Sequence, residues 1–222
     1  MNSTANTGNA ANGNPLIIIG AGGHGRVVCD AARAAGFNPL FFLDRKPDAP
    51  LVAGIPVYRD LDQARSAWDN TDPFPATFDY IVAIGDNAQR ADEFAQLCVA
   101  GHRSVSVIHP TATLSPDAKI GAGTYIGAGV IVNTGARIGD NAIINTAAVV
   151  EHDCRVGDHA FVAPAAVMCG TTAIGDYTLL GAHATIIPNL GVGAHALIAS
   201  GAVVTTSYGD GVRLFGVPAR EK

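Results

Sequence analysis

The sequence predicts two dissimilar units in tandem: an α/β half-Rossmann unit of nucleotide-binding type, then an all-β column of short parallel strands wound into a three-sided β-helix. Two observations predict this. From Ile108 to Val204 every sixth residue is Ile, Leu, Val or Met in unbroken phase, through Ile120, Ile138, Val156, Ile174 and Val192. Before Gly101 there is no such beat, and apolar runs are instead punctuated by glycine turns and amphipathic stretches.

A period of six fits neither the 3.6 of a helix nor the 2 of a single strand, so it marks a repeat unit. In extended backbone alternate residues share a face. The aliphatic residue and the small residue two places before it, as in Ala118, Ala136, Ala142, Ala148, Ala160, Ala166 and Ala184, therefore point inward together. Glycine often follows the aliphatic, as at Gly121, Gly139, Gly157, Gly175 and Gly193, and is expected to turn the corner there with positive φ. Three hexads close one triangular coil, and stacked coils pair their backbones around a dry column of Ile, Val and Ala. The hexads Ile120-Gly121-Ala122-Gly123-Thr124-Tyr125 and Ile174-Gly175-Asp176-Tyr177-Thr178-Leu179 resemble those of the hexapeptide-repeat acyltransferases. That resemblance implies left-handed coiling.

The earlier segment reads as strand, turn, helix. Pro15-Leu16-Ile17-Ile18-Ile19 is a buried strand, Gly20-Ala21-Gly22-Gly23-His24-Gly25 a glycine turn, and Arg26 to Ala35 an amphipathic helix stopped at Gly36. Leu40-Phe41-Phe42-Leu43 forms a second strand ending on Asp44, about twenty residues past the glycines, where dinucleotide folds place an acid against a ribose hydroxyl. A third strand, Tyr80 to Ile84, runs into Gly85-Asp86-Asn87 and a helix from Ala88 to Ala100. Glycines at such a turn let backbone N–H groups and the positive helix end approach a diphosphate. One half-unit suits a mononucleotide better than NAD. The expected division is a disordered tail over 1–14, a Rossmann-like nucleotide-binding domain over 15–106 and a β-helix domain over 107–222.

Composition narrows the partners. A net charge of −5 with no Lys/Arg run offers no electrostatic footprint for nucleic acid or an acidic membrane. The apolar run at Leu16 to Ile19 is far too short to span a membrane or serve as a signal-peptide core. Cys29, Cys98, Cys154 and Cys169 form no CxxC pair, so reduced core thiols in a cytoplasmic protein, with no metal, are expected.

One hexad breaks the apolar rhythm. Val150-Glu151-His152-Asp153-Cys154-Arg155 replaces the usual glycine with Glu and sets a histidine beside an acid. A histidine flanked by a carboxylate is a natural general base, because the carboxylate orients the ring and raises its basicity. Acyl transfer to an amine or hydroxyl needs such a proton acceptor. His102, His109, His159, His183 and His195 are expected to be surface or stacking residues.

Taken together, the two halves resemble the nucleotide-sugar N-acetyltransferases of bacterial surface-glycan biosynthesis, which acetylate UDP-linked amino sugars of the bacillosamine type and GDP-perosamine. The resemblance runs from about Leu16 to Lys222 and rests on Gly22-Gly23-His24-Gly25, Phe42-Leu43-Asp44, Val82-Ala83-Ile84-Gly85-Asp86-Asn87, Asn145 to Asp153, Ile187-Pro188-Asn189-Leu190 and Gly216-Val217-Pro218-Ala219-Arg220. It implies that His152 is the general base, Asp153 its supporting acid and Glu151 an auxiliary. It implies further that Gly22, Gly23, His24, Asp44, Arg45 and Gly85 line the nucleotide-sugar site, and that acetyl-CoA lies along the prism near Gly170, Ala182 and Ser200. Where some members have a histidine contacting acetyl-CoA, this chain has Phe161. A homotrimer, with each site between prisms, is also implied.

The activity expected is direct transfer of acetyl from acetyl-CoA to the amine of a nucleotide-linked amino sugar, with UDP as the expected nucleotide. Open alternatives are O-acetylation of a sugar such as sialic acid and non-catalytic nucleotide-sugar binding. Zinc-dependent carbonic anhydrases share the prism but need a close His pair that this sequence lacks, and an NAD oxidoreductase needs a second nucleotide half that does not follow.

Overall fold

The structure, a computed structural model, describes residues 15–68 and 73–222. The expected tail over 1–14 lies outside the described residues. The first unit runs β1 (Leu16–Ile19), α1 (Gly23–Ala34), β2 (Pro39–Leu43), β3 (Leu51–Val52), β4 (Ile55–Tyr58), α2 (Leu61–Ser66), β5 (Asp79–Val82), α3 (Asn87–Val99) and β6 (Arg103–Ser104). Its sheet has the order β3-β4-β2-β1-β5-β6. Strand β1 is central, pairing in parallel with β2 on one side and β5 on the other, and all four of its residues are buried. A continuous apolar run is what a parallel strand covered on both faces requires.

Helix α1 starts at Gly23, inside the glycine turn and three residues before the expected Arg26. It ends as expected, with Gly36 at φ +86° and Phe37 N–H returning to the Ala32 carbonyl at 2.9 Å. Four elements, β3, β4, α2 and β6, are additional to the sequence reading. The β3–β4 hairpin turns through Ala53 and Gly54, both at positive φ, which is the two-residue geometry that suits strand twist. Helix α2 is capped by Asp60, whose carboxylate accepts from Gln63 N–H at 2.7 Å. Strand β6 carries Arg103, which pairs with the buried Asp79 of β5.

From Val107 onward the chain winds as a three-sided parallel column. Face one begins with Val107–Ile108, face two with Thr113–Leu114 and face three with Lys119–Ile120. Each two-residue strand pairs in parallel with the strand 18 residues on, as Tyr125↔Ile143 and Ile126↔Ile144 show. The inward aliphatics and the small residues two places before them form one buried column, with Ala136, Ile144, Val150, Cys154, Met168 and Ile186 all at zero exposure. Cys29 is also in a core, whereas Cys98 is exposed and Cys169 half-buried, so only two of the four thiols are core residues.

The corner glycines act differently from the expectation. Gly121, Gly139, Gly157, Gly175 and Gly193 do not have positive φ; the left-handed residue is the third after each aliphatic, filled by Gly123, Gly129 and Gly135 and then by Asn141, Ala147, Asp153, His159, Ala165, Thr171 and Tyr177. What the glycines after the aliphatics supply is clearance. A Cβ on Gly157 would sit 2.4 Å from Asp176 N and 2.5 Å from Gly175 C, both backbone atoms of the next coil. Consecutive strands of one face are only about 4.8 Å apart, so a corner that leans toward its neighbour leaves no room for a side chain.

The first unit packs on face one. Tyr125 and Ile143, which point outward from that face, are buried in the same cluster as Ile17, Val28 and Tyr80. Gly157→Ala is therefore expected to destabilise by about 2–3 kcal/mol through backbone overpacking. Gly129→Ala, at a left-handed position whose nearest neighbour is 3.9 Å away, should cost only about 1 kcal/mol. Urea denaturation of the two variants checks the order.

Candidate active site

Loops at the carboxyl ends of β1, β2 and β5 surround a cleft of about 980 Å³. Because β2 and β5 flank β1 on opposite sides, this is where the sheet order reverses, the usual ligand crevice of an open α/β sheet. Gly22, Gly23, His24, Asp44, Arg45 and Gly85 all line it.

The four turn glycines divide their labour. Gly20 has φ +100°, and a Cβ on Gly25 would lie 2.1 Å from the Gly20 carbonyl oxygen, so these two close the turn tightly. Gly22 has nothing within 4 Å of its would-be Cβ and Gly23 only the tip of Arg26, so the turn is open toward the cleft. No side chain caps α1 and no acid lies in its first turn. Its unpaired N–H groups and positive end can therefore receive an anion such as a diphosphate. Asp44 braces this arrangement: Oδ2 accepts from Ala21 N–H and Oδ1 from Lys46 N–H, both at 2.9 Å. Arg45 reaches across to Glu93 of α3 at 2.8 Å.

His24 points from the turn into the joint with the column. Its ring meets Tyr125 edge-on at 5.3 Å and lies alongside Phe161 at 6.5 Å, and its Nε2 is buried without a hydrogen-bond partner. Burial, reinforced by the Arg90 guanidinium, lowers its pKa to about 4, so the ring is neutral at pH 7. Phe161, at the position where a CoA-contacting histidine was in question, projects from face one and packs against His24 and Gly85.

Arg90 joins the two units. It is fully buried and donates to Asn141 O at 2.9 Å and His159 O at 2.6 Å on the column, and to Ile84 O at 3.0 Å and Asn87 Oδ1 at 2.7 Å on its own unit. Burial lowers its pKa to about 10, which leaves it charged. Sequence reading missed this residue. The available signal was a cation in the first turn of α3, where the helix dipole disfavours one unless it is bound elsewhere.

His152 and Asp153 stand on the edge between faces two and three, 54% and 63% exposed. His152 Nδ1–H donates to Asp153 Oδ2 at 3.0 Å, which leaves Nε2 as the lone-pair nitrogen. The ring lies over Gly170 one coil on, where a Cβ would meet Nε2 at 2.3 Å. Glu151 is tied sideways by Asn133 Nδ2 at 2.8 Å.

The site residues thus fall into separate groups in one chain. In a three-sided column the edge between faces two and three is opposite face one, which carries the nucleotide cleft's unit. His152 does not line that cleft. Of the three residues expected at acetyl-CoA, Gly170 is on the edge of the histidine, while Ala182 and Ser200 share the edge between faces one and two. Cys154 Sγ is sealed in the core against Thr172 Oγ1 at 3.3 Å, and burial raises the Cys169 thiol pKa, so neither is poised as an acyl-enzyme nucleophile. No helix among the described residues is long and apolar enough to cross a membrane.

A half-Rossmann unit with a nucleotide-sized cleft, mounted on a β-helix that presents an acid-backed histidine, defines a sugar-nucleotide acyltransferase. Residues 15–97 match the PglD N-terminal domain family. The whole chain is similar to a single-histidine variant of perosamine N-acetyltransferase from Caulobacter crescentus, solved with CoA and GDP-perosamine (37% identity, 94% of this chain and 96% of that one, TM-score 0.85). It is similar also to the acetyltransferase domain of PglB from Neisseria gonorrhoeae in complex with acetyl coenzyme A (34%, 94% and 99%, TM-score 0.86), and to WeeI from Acinetobacter baumannii (25%, 93% and 99%, TM-score 0.78). The chain belongs to the nucleotide-sugar N-acetyltransferase family, and its column is the left-handed parallel β-helix of those enzymes.

The buried neutral His24 has a consequence for stability. Its folded pKa, about 4, lies below the unfolded value of about 6.5, so between those values the unfolded chain binds more protons. Its contribution is present above pH 6.5 and is lost as pH falls toward 4, at up to about 1.4 kcal/mol per pH unit. Melting temperatures of wild type and His24→Phe across pH 7 to 4 should converge or cross as pH falls, the wild type dropping more steeply.

Proposed function

We propose that the protein transfers the acetyl group of acetyl-CoA to the amine of a nucleotide-linked amino-deoxy sugar, UDP-linked by the resemblance to bacillosamine-type enzymes, in a cytoplasmic step of surface-glycan biosynthesis. The observation that carries this is the His152–Asp153 pair, with Nδ1–H committed to the carboxylate and Nε2 free above Gly170. The amine nitrogen attacks the thioester carbonyl, a C–N bond forms and the C–S bond breaks. His152 Nε2 takes the amine proton and returns it to the departing CoA thiolate. The diphosphate rests at the uncapped start of α1, and Asp44, besides bracing the turn, faces the ribose.

Acetyl-CoA and a nucleotide sugar are bound by similar proteins, and transfer there supports the same ternary reaction here. Gly170, Ala182 and Ser200 are assigned to acetyl-CoA through backbone groups, with Gly170 from one subunit and the other two from its neighbour. This follows from a homotrimer, which two features favour. The base stands on the edge opposite the nucleotide cleft's face, so one chain alone does not complete a site. Face two also presents a partly exposed apolar stripe of Ile131, Val149, Val167 and Val203, whereas face three carries exposed Lys119, Arg137 and Arg155. An uncovered apolar face of this kind suits a second copy.

His152→Ala is expected to lower kcat by about 10²–10⁴ with little change in nucleotide-sugar affinity, read by thiol release with UDP-, GDP- and dTDP-linked amino sugars. An unchanged kcat would remove His152 from the mechanism. Sedimentation equilibrium should return the mass of three chains. Co-expressing His152→Ala with a cleft-blocked Gly23→Glu variant should restore part of the activity neither has alone; a fully active monomer would refute the shared site.

A further inference from the structure

The histidine and the acid lean in opposite directions along the column, and each leans onto a glycine. His152 tilts toward the next coil, where a Cβ on Gly170 would lie 2.3 Å from Nε2 and 2.6 Å from Cε1. Asp153 tilts toward the preceding coil, where a Cβ on Gly135 would lie 2.5 Å from Oδ1 and 3.4 Å from Cγ. These clearances differ from those at Gly121, Gly157 or Gly175, where the Cβ would strike backbone of the neighbouring coil. At Gly135 and Gly170 the nearest atoms are the working ends of the two side chains.

Gly135 is also fixed in place independently of the pair. Its N–H donates to Asp117 Oδ2 at 3.1 Å, and Thr134 Oγ1 donates to the same oxygen at 2.8 Å. Asp153 N–H donates to Thr134 O at 2.9 Å, so the acid's backbone is anchored to the corner beneath it. On this anchored corner the Asp153 carboxylate has its observed position only because residue 135 has no side chain.

We infer that Gly135 and Gly170 are positioning residues for the His152–Asp153 pair, setting the carboxylate from one coil below and the imidazole from one coil above. The inference rests on the proposed role of His152 as base. A methyl at Gly135 displaces Oδ1 and, with it, the Asp153 carboxylate that fixes the ring's Nδ1–H tautomer. A methyl at Gly170 displaces Nε2 itself. Neither change touches the nucleotide cleft, and neither drives into backbone, so folding is retained while the pair is misaligned.

The test uses the full chain and three alanine variants, Gly135→Ala, Gly170→Ala and Gly129→Ala. Gly129 has φ +68° against +71° at Gly135, so Gly129→Ala carries the same left-handed strain at a corner without either side chain. Nitrogen-15 imidazole resonances report the His152 tautomer and ring environment without requiring turnover, and steady-state kinetics report kcat and KM. Expected are a loss of the fixed Nδ1–H tautomer in Gly135→Ala, displaced His152 ring resonances in both dyad-side variants, and kcat lower by about tenfold or more with nucleotide-sugar KM unchanged. Gly129→Ala should match wild type in both readouts. Wild-type resonances and kcat in Gly135→Ala and Gly170→Ala would overturn the inference, as would equal losses in Gly129→Ala. If His152→Ala is itself fully active, the base assignment fails, and the resonances alone decide the positioning.

Discussion

The constraint on which the column depends is the close approach of its stacked corners. Strands of one face pair at the usual β spacing, so each corner lies almost against the corner 18 residues away. Wherever a corner leans in, the residue must be glycine, or the neighbour must offer only a movable side chain. The same closeness lets backbone donors be satisfied between coils. Asp140, Asp158 and Asp176 each accept the N–H of the residue 18 positions earlier, Ala122, Asp140 and Asp158, at 2.7 to 2.8 Å. Recurrent glycine, recurrent aspartate and the clearance around His152 are three outcomes of one spacing.

The α/β unit is held to this column by a different device. Arg90 is a buried cation whose donors end mostly on main-chain carbonyls at the lip of its own sheet and at the corners of the column. A guanidinium suits this work because its planar fork can serve several acceptors without bringing a second charge into the interior. Desolvation of the ion is offset by charge-assisted bonds, each stronger than a neutral one. Those bonds run through Ile84 and Gly85 to the cleft floor. The cleft is thereby indexed to the corners at Asn141 and His159, and through the rigid ladder to every other corner.

Much of this was legible in the sequence, and the rest was hidden for physical reasons. The six-residue beat gave the column because burial repeats strictly with it, and the strand–glycine–helix pattern gave β1, α1 and the cleft. Gly22, Gly23, His24, Asp44, Arg45 and Gly85 line one crevice because a parallel sheet brings loop residues to one end. The role of the glycines after the aliphatics was misassigned. Local chemistry allows positive φ at any glycine, and only the neighbouring coil shows that clearance was the need. Arg90 escaped because its partners are 51 and 69 residues away and are backbone atoms, which leave no trace in side-chain pattern. The α2 cap at Asp60 and Gln63 was readable but short, and the β3–β4 hairpin has strands of two residues.

The placement of the pair on an edge rather than on a face follows from backbone geometry. Residues adjacent in an extended strand point to opposite sides, so a histidine and the next residue could not bond to each other within a strand. At the corner, Asp153 takes φ +61°, and this left-handed step swings its carboxylate back to the side of the preceding ring. Aspartate is among the few residues that adopt this conformation at low cost, because its short side chain bonds locally. From Ile120 to Ile198 the repeat supplies one left-handed position per hexad, and the residue before it is free of the core. A sequence-adjacent His-Asp pair is therefore available only where the column turns. On this edge the residue after each aliphatic is Ser115, Asn133, Glu151, Cys169 or Ile187 and not glycine, so Glu151 has room there, and Asn133 ties its side chain aside.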